Sequence, residues 1–195
     1  MSKPIRSFEY STVTTLEEVV KEGFLIEKFK SRDSAAIVSL IRENMREFDQ
    51  QEKVFSTIHR RLENLAHEYS KEGTSLFVIK NQITRKPIAC VGIGSFQGLP
   101  WTERIGEVRD LVVQKNFRSR GLGRRLLKKT LIKAKELGYK RLYLEVSKHM
   151  KVAQKLVCQN GFHPVEHLPN QTKKIKKTPS YFLLADLRSQ FLDEV

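Results

Sequence analysis

Two cysteines, Cys90 and Cys158, are all that the 195-residue chain offers for cross-linking. They stand in no CxxC or Cys/His spacing, which argues against a disulfide scaffold or a zinc-built fold and suits a reduced, cytoplasmic protein. Long apolar runs are missing too. No stretch approaches the roughly 18 consecutive apolar residues of a membrane helix, and the opening MSKPIRSFEYSTVTT lacks the apolar centre of a secretory signal. No membrane insertion is expected. His59, His67, His149, His163 and His167 show no ligand spacing, so they read as surface or half-buried side chains and no metal is expected. There is no internal repeat, and Lys173–Lys177 is the only low-complexity patch.

What the chain has in excess is positive charge. Residues 1–100 carry 15 Lys and Arg against 13 Asp and Glu, net +2, whereas residues 101–195 carry 21 against 9, net +12. Such asymmetry points to a polyanion: a nucleic acid or ribosomal surface, an anionic membrane surface, or a phosphorylated cofactor. Solubility is the plainer account of many of these lysines.

The apolar share of 39% supports a core, and the length fits one domain of about 100–200 residues. Residues 1–22 read as a polar N-terminal arm, and residues 23–195 as the domain. A strand is expected over 23–29. A helix follows with Ala36, Ile37, Leu40, Ile41, Met45 and Phe48 on one stripe, and Ser31 or Asp33 at its start. A second helix is expected over about 54–71. The period then changes to that of strands: 75–80 and 87–95 as a hairpin around Asn81–Lys86, then 105–113. A helix over about 122–137 puts Leu122, Leu126, Leu127, Leu131 and Ala134 inward and stops at Gly138. A strand at 141–146, a helix at about 149–160 and strands near 162–166 and 181–186 complete the chain. The β-α-β passage through residues 105–146 requires parallel neighbours, whereas the hairpin is antiparallel. The sheet is therefore mixed, with about seven strands and helices on both faces.

Between the strand at 105–113 and the next helix lies Gln114-Lys-Asn-Phe-Arg-Ser-Arg-Gly-Leu-Gly123. A helix N-terminus presents unpaired N–H groups and positive potential, which favours an anion. Gly121 and Gly123 allow close approach, and Arg118, Arg120, Arg124 and Arg125 add charge. A Walker A loop would end Gly-Lys-Ser/Thr, but Arg124 follows Gly123; a dinucleotide fingerprint would need glycine at position 126, which is Leu. The same residues also fit a plain glycine turn with solvated arginines.

Arg118-Ser-Arg-Gly-Leu-Gly123 resembles the (Q/R)xxGx(G/A) signature of the GNAT N-acetyltransferases. Its setting does too: Gly106-Glu107-x-x-x-Leu111-x-Val113 before it, a Leu-rich helix after it, then Leu142-Tyr-Leu-Glu-Val146, Ala153-Gln-Lys-Leu156 and Gly161-Phe162. The resemblance implies acetyl-CoA as co-substrate, bound at Arg118, Ser119, Arg120, Gly121, Leu122, Gly123 and Arg124, with the backbone N–H groups of Arg120–Arg124 holding it. It also implies a pantetheine arm lying like an extra strand along Leu111, Val112 and Val113. The cofactor would enter where the sheet splays between the strands at 105–113 and 141–146. The expected partners are acetyl-CoA and an amine acceptor, with an anionic or ribosomal surface and a second copy of the chain as further candidates. A basic nucleic-acid- or ribosome-associated module on the same scaffold, or a catalytically weak acetyl-CoA binder, are the alternatives.

Acetyl transfer to an amine needs a base, a donor to the thioester oxygen and a departing thiolate. Glu107 is the expected base: strict alternation puts Glu107, Arg109, Leu111 and Val113 on one face, with Asp110 turned away unless a bulge reverses it. A plain arginine partner is the structural alternative for Glu107. The chain departs from the family where Met150 and Val157 replace the usual Asn and Tyr of the last helix, so the usual proton donor to the thiolate is missing. Cys158, Tyr143 or Tyr181 could stand in, but unassisted or water-assisted departure is favoured. Trp101 is expected to pack more readily than to line an acceptor site.

Overall fold

The structure, a computed structural model, describes residues 18–20, 24–48, 61–147, 149–169, 180–185 and 187. The elements run β1 (Glu18–Val20), β2 (Phe24–Lys28), α1 (Ser34–Phe48), α2 (Leu65–Glu68), β3 (Ser75–Lys80), β4 (Pro87–Ser95), β5 (Ile105–Val113), α3 (Leu122–Glu136), β6 (Arg141–Val146), α4 (Lys151–Cys158), β7 (His163–Val165) and β8 (Ser180–Ala185). Ser31–Asp33, expected at the start of α1, form a tight helical turn whose Ser31 carbonyl accepts a hydrogen bond from Ser34 Oγ at 2.6 Å. Of the helix expected over 54–71, residues 61–63 and 65–68 are helical and Asn64 interrupts them; residues 54–60 lie outside the described residues. The hairpin turn is tied by Asn81, whose Oδ1 accepts hydrogen bonds from the N–H groups of Ile83 and Thr84, both at 2.9 Å.

One mixed sheet carries the order β1-β2-β3-β4-β5-β6-β8-β7. Every neighbouring pair is antiparallel except β5 and β6, which are parallel. Among the described residues the sheet has eight strands, where about seven are expected. The additional one is Glu18–Val20, paired with β2 inside the segment read as an arm. Three residues are too few to show an alternation, so only the pairing reveals this strand.

Helices cover both faces. On one, Ile37, Leu40, Ile41, Leu65 and Tyr69 pack over Leu76, Val78 and Cys90. On the other, Leu122, Leu126, Leu127, Leu131 and Val157 pack over Phe77, Ala89, Val91, Ile93 and Val108. Leu126 and Leu127 are fully buried, each contributing roughly 1.5–3 kcal/mol relative to exposure.

Two irregularities of β5 shape everything near it. Its pairing with β6 covers only Ile105–Val108 against Arg141–Leu144, so the strands part beyond that point, as expected. Its pairing with β4 shifts between Cys90 and Gly92, because Cys90 faces Val112 while Gly92 faces Arg109. The extra residue is a bulge at Asp110, whose φ is 57°. The bulge overturns the simple alternation. Val112 joins the α1–α2 face, where Glu107 and Arg109 point by register, while Leu111 and Val113 pack on the α3–α4 face.

Tyr69 lies across β4 at Gly92, where an added Cβ would fall 1.8 Å from Tyr69 Oη. Gly92→Ala should therefore expel the Tyr69 ring. Overpacking of this kind costs about 1–3 kcal/mol, which lowers Tm by roughly 2–4 °C per kcal/mol in a chain of this size. Thermal melts of the variant against wild type check it.

Candidate active site

After Val113, the Gln114 N–H bonds the Ile88 carbonyl at 2.8 Å, and a tight turn at Lys115–Phe117 leads into exposed residues 119–121. Ser119 and Gly121 both take left-handed backbone angles, with φ of 62° and 75°. Alternation of this kind turns successive N–H groups toward one side. The first N–H to find a helical acceptor is that of Arg125, bonded to the Gly121 carbonyl at 3.1 Å. The N–H groups of Ser119, Arg120, Gly121, Leu122, Gly123 and Arg124 have no acceptor among the described residues. An added Cβ at Gly121 would meet nothing within 4 Å, so the space beside Gly121 is open among the described residues. Gly123 serves packing instead: its Cβ would lie 3.3 Å from Leu156 Cδ2, so the missing side chain lets α3 approach α4.

The arginines divide. Arg120 is exposed and lies 5.5 Å from the Phe117 ring, and Arg124 is exposed and reaches Gln159 at 3.3 Å. Arg118 turns inward. Its Nε donates to the Val113 carbonyl at 3.0 Å, and its terminal nitrogens bond Glu47 and Asn44 of α1. The Arg118 hydrogen bond holds the Glu47 carboxyl below its ordinary value. Asn44 is buried, with its Nδ2 on the Leu40 carbonyl at 2.9 Å.

Glu107 sits on β5 opposite Gly94 and, across the parallel pair, Tyr143. It is partly buried, and no described residue donates a hydrogen bond to its carboxylate. The simple arginine pairing held as its alternative reading is not formed: Arg109 reaches toward Glu68 at 3.7 Å and lies over the Tyr69 ring, and Arg61 pairs with Asp110. Burial raises the Glu107 pKa, opposed by the charges of Arg109 and Arg61 and assisted by Glu145 and Asp110. A carboxylate raised in this way is better matched to proton transfer near neutrality. Asp110, brought by the bulge to this same side, accepts from Arg61 and from Tyr69 Oη at 2.7 Å, one hydrogen bond on each oxygen.

Val157 is fully buried in the α3–α4 core. Cys158 is exposed on α4. Tyr143 is buried against Phe96, ring centroids 4.6 Å apart, and burial raises its pKa. The side chain of Tyr181 lies outside the described residues, as do His59 and Lys173–Lys177. Trp101 packs under the Arg104 guanidinium at 3.7 Å and against Gly73, at the start of β5 and far along the strand from the loop. The packing reading of Trp101 fits this place. Among the described residues no three His, Cys, Asp or Glu converge as metal ligands, and no helix is long and apolar enough to cross a membrane.

Sequence reasoning missed Asn44, Glu47, Arg61 and Tyr69, which come from helices remote in the chain. One signal was available for the first: Asn44 falls on the apolar stripe of α1, three residues after Ile41, and a polar side chain buried there needs a partner.

The family model described as the Acetyltransferase (GNAT) family matches residues 35–162. A protein of Escherichia coli (strain K12), named uncharacterized N-acetyltransferase YjgM, is 24% identical over 154 residues, which cover 78% of this chain and 89% of that protein. The fold is similar to that of a GNAT-family acetyltransferase from Staphylococcus aureus Mu50, with TM-score 0.69 at 19% identity over 85% of this chain and 99% of that one. It is also similar to the PaiA N-acetyltransferase of Thermoplasma acidophilum, solved in complex with coenzyme A, with TM-score 0.64 at 14% identity over 83% and 98% of the two chains.

The raised pKa of Glu107 has a consequence for stability. The folded protein holds this proton more tightly than the unfolded chain, so wild type loses stability as pH rises from the ordinary carboxylate value through the raised one. Glu107→Gln removes the titration. Its Tm relative to wild type should be higher at pH 8 than at pH 4, and a difference that stays constant or reverses across that range would contradict the environment described for Glu107.

Proposed function

Because the chain belongs to the GNAT acetyltransferase family and is an acyltransferase, we propose that it moves the acetyl group of acetyl-CoA to a primary amine of a small molecule or protein, by direct attack in a ternary complex. The observation that carries this reading is the unpartnered N–H array of residues 119–124, open at Gly121, beside the half of β5 that β6 leaves unpaired. The array suits a diphosphate: it combines oriented amides with a helix N-terminus and the nearby charges of Arg120 and Arg124. The edge of β5 that β6 leaves unpaired at Leu111–Val113, apart from the Val113 carbonyl held by Arg118, suits the amides of a pantetheine arm, which can add to it as another strand does. When bound, acetyl-CoA supplies the activated acyl group.

Glu107 takes the proton of the acceptor amine. It lies on the α1–α2 face where the strands begin to part, and its raised pKa makes it a stronger base than an ordinary carboxylate. No tyrosine hydroxyl is available at Val157, so thiolate departure is left to the low basicity of a thiol of pKa about 8.5, or to water. Residues 23–195 form the transferase domain on this reading, with Glu18–Val20 of the arm extending its sheet. A reduced, cytoplasmic setting suits Cys90 and Cys158, which are both free. The family match favours this enzyme over the basic nucleic-acid module.

Calorimetry with acetyl-CoA should give micromolar-range binding and a raised Tm. Gly121→Val should abolish it, since the new side chain fills the open space and φ of 75° is strained for a β-branched residue. On an acceptor found with labelled acetyl-CoA, Glu107→Gln should lower turnover about 10²–10⁴-fold with acetyl-CoA affinity retained. The wild-type rate should rise with pH through an ionisation above the ordinary carboxylate range. Wild-type turnover in Glu107→Gln would place the base elsewhere.

A further inference from the structure

Arg118 opens the loop motif and was expected to meet the diphosphate with its charge. Its surroundings give it different work. The guanidinium donates from Nε to the Val113 carbonyl at 3.0 Å, from Nη1 to Glu47 Oε1 at 2.7 Å, and from Nη2 to Glu47 Oε2 at 2.7 Å and Asn44 Oδ1 at 2.9 Å. Arg has five N–H donors in a rigid fork, and these bonds engage every nitrogen of it. Both oxygens of Glu47 are used, which is the bidentate geometry that fixes orientation as well as neutralising charge. Asn44 is itself held, since its amide donates to the Leu40 carbonyl and its Oδ1 faces Arg118. The loop that follows, residues 119–121, is exposed and holds two left-handed residues. Such a segment keeps one shape only when its ends are fixed.

We infer that Arg118 is a positioning residue rather than a phosphate ligand: it fastens the loop carrying the 119–124 amides between the last carbonyl of β5 and the last turns of α1, and so makes Glu47 and Asn44 part of the acetyl-CoA site. The inference rests on the acetyl-CoA reading above. Pre-organising the array lowers the ordering cost of binding, so the latch acts on affinity. Lysine cannot replace the arginine, because one ammonium cannot span a carbonyl, a carboxylate and an amide at once.

The two roles make opposite forecasts for Glu47. If Arg118 were a direct ligand, removing a negative charge beside a polyanion would leave binding unchanged or tighten it, and only Arg118 variants would weaken it. If Arg118 positions the loop, Glu47→Ala and Arg118→Ala should each raise the acetyl-CoA Kd about tenfold, and the double variant should be no worse than Arg118→Ala alone. In turnover the loss should fall on KM for acetyl-CoA. Arg118→Lys should fail to rescue. Glu47 lies on the surface of a helix and Ala favours helix, so Glu47→Ala keeps the test available if Arg118→Ala does not fold; melts of the free proteins identify that case. A Glu47→Ala variant binding acetyl-CoA as tightly as wild type or tighter would overturn the inference, as would losses that multiply in the double variant. Wild type binding no acetyl-CoA at all would sink the underlying reading and this inference with it, a result distinct from variants that match a wild type that binds.

Discussion

The bulge at Asp110 is the constraint on which the rest of the site depends. One additional residue in β5, taken at φ of 57°, lengthens the strand against β4 and reverses the direction of every side chain beyond it. Asp tolerates the left-handed region better than most residues, and here the conformation is held from outside. Arg61 and Tyr69 both bond the Asp110 carboxylate, and Tyr69 fits there because Gly92 has no side chain. A helix face, a glycine and a strand irregularity thus stabilise one another. Past the bulge β5 no longer pairs with β6, and where the loop begins its Val113 carbonyl is taken by Arg118 Nε instead.

Charge is handled differently at the two ends of that opening. At the loop, Arg118 is neutralised by Glu47, so the remaining positive potential comes from backbone dipoles, with the charges of Arg120 and Arg124 outside them. Fixed amides cannot move aside or be screened by their own carboxylate partner, which suits a group that must be held in one place. Toward β6, Glu107 is surrounded by Arg109, Arg61, Asp110 and Glu145, yet the arginines are occupied with Glu68 and Asp110. Burial therefore decides the direction of its shift. A carboxylate whose neighbours are engaged elsewhere is costly to the folded state, and that cost is what makes it basic.

Most of the fold was legible in the chain. The period of Leu122, Leu126, Leu127, Leu131 and Ala134 marked α3 to within a residue of its end, and the alternating runs at 75–80, 87–95, 105–113 and 141–146 marked the central strands. The loop was legible because glycine, arginine and a helix start stand together. The β1 strand was not, being too short to carry a period. Neither was the facing of Leu111 and Val113, since a bulge depends on the partner strand and on Tyr69 and Arg61 from another element.

By itself the sequence determined the family, the mixed sheet and the place of the glycine- and arginine-bearing loop at the start of a helix. These are local matters, set by residue type and spacing within one segment. The tertiary structure decided which charges are free. Arg118 looks like a ligand in the motif and is found latched to Glu47, seventy-one residues earlier. Asp110 and Glu107 are near neighbours of one chemical kind, yet each oxygen of Asp110 accepts a hydrogen bond and, among the described residues, nothing donates one to Glu107. The difference lies in contacts between segments far apart in the chain, and a hydrogen bond between them leaves no trace in the spacing of either.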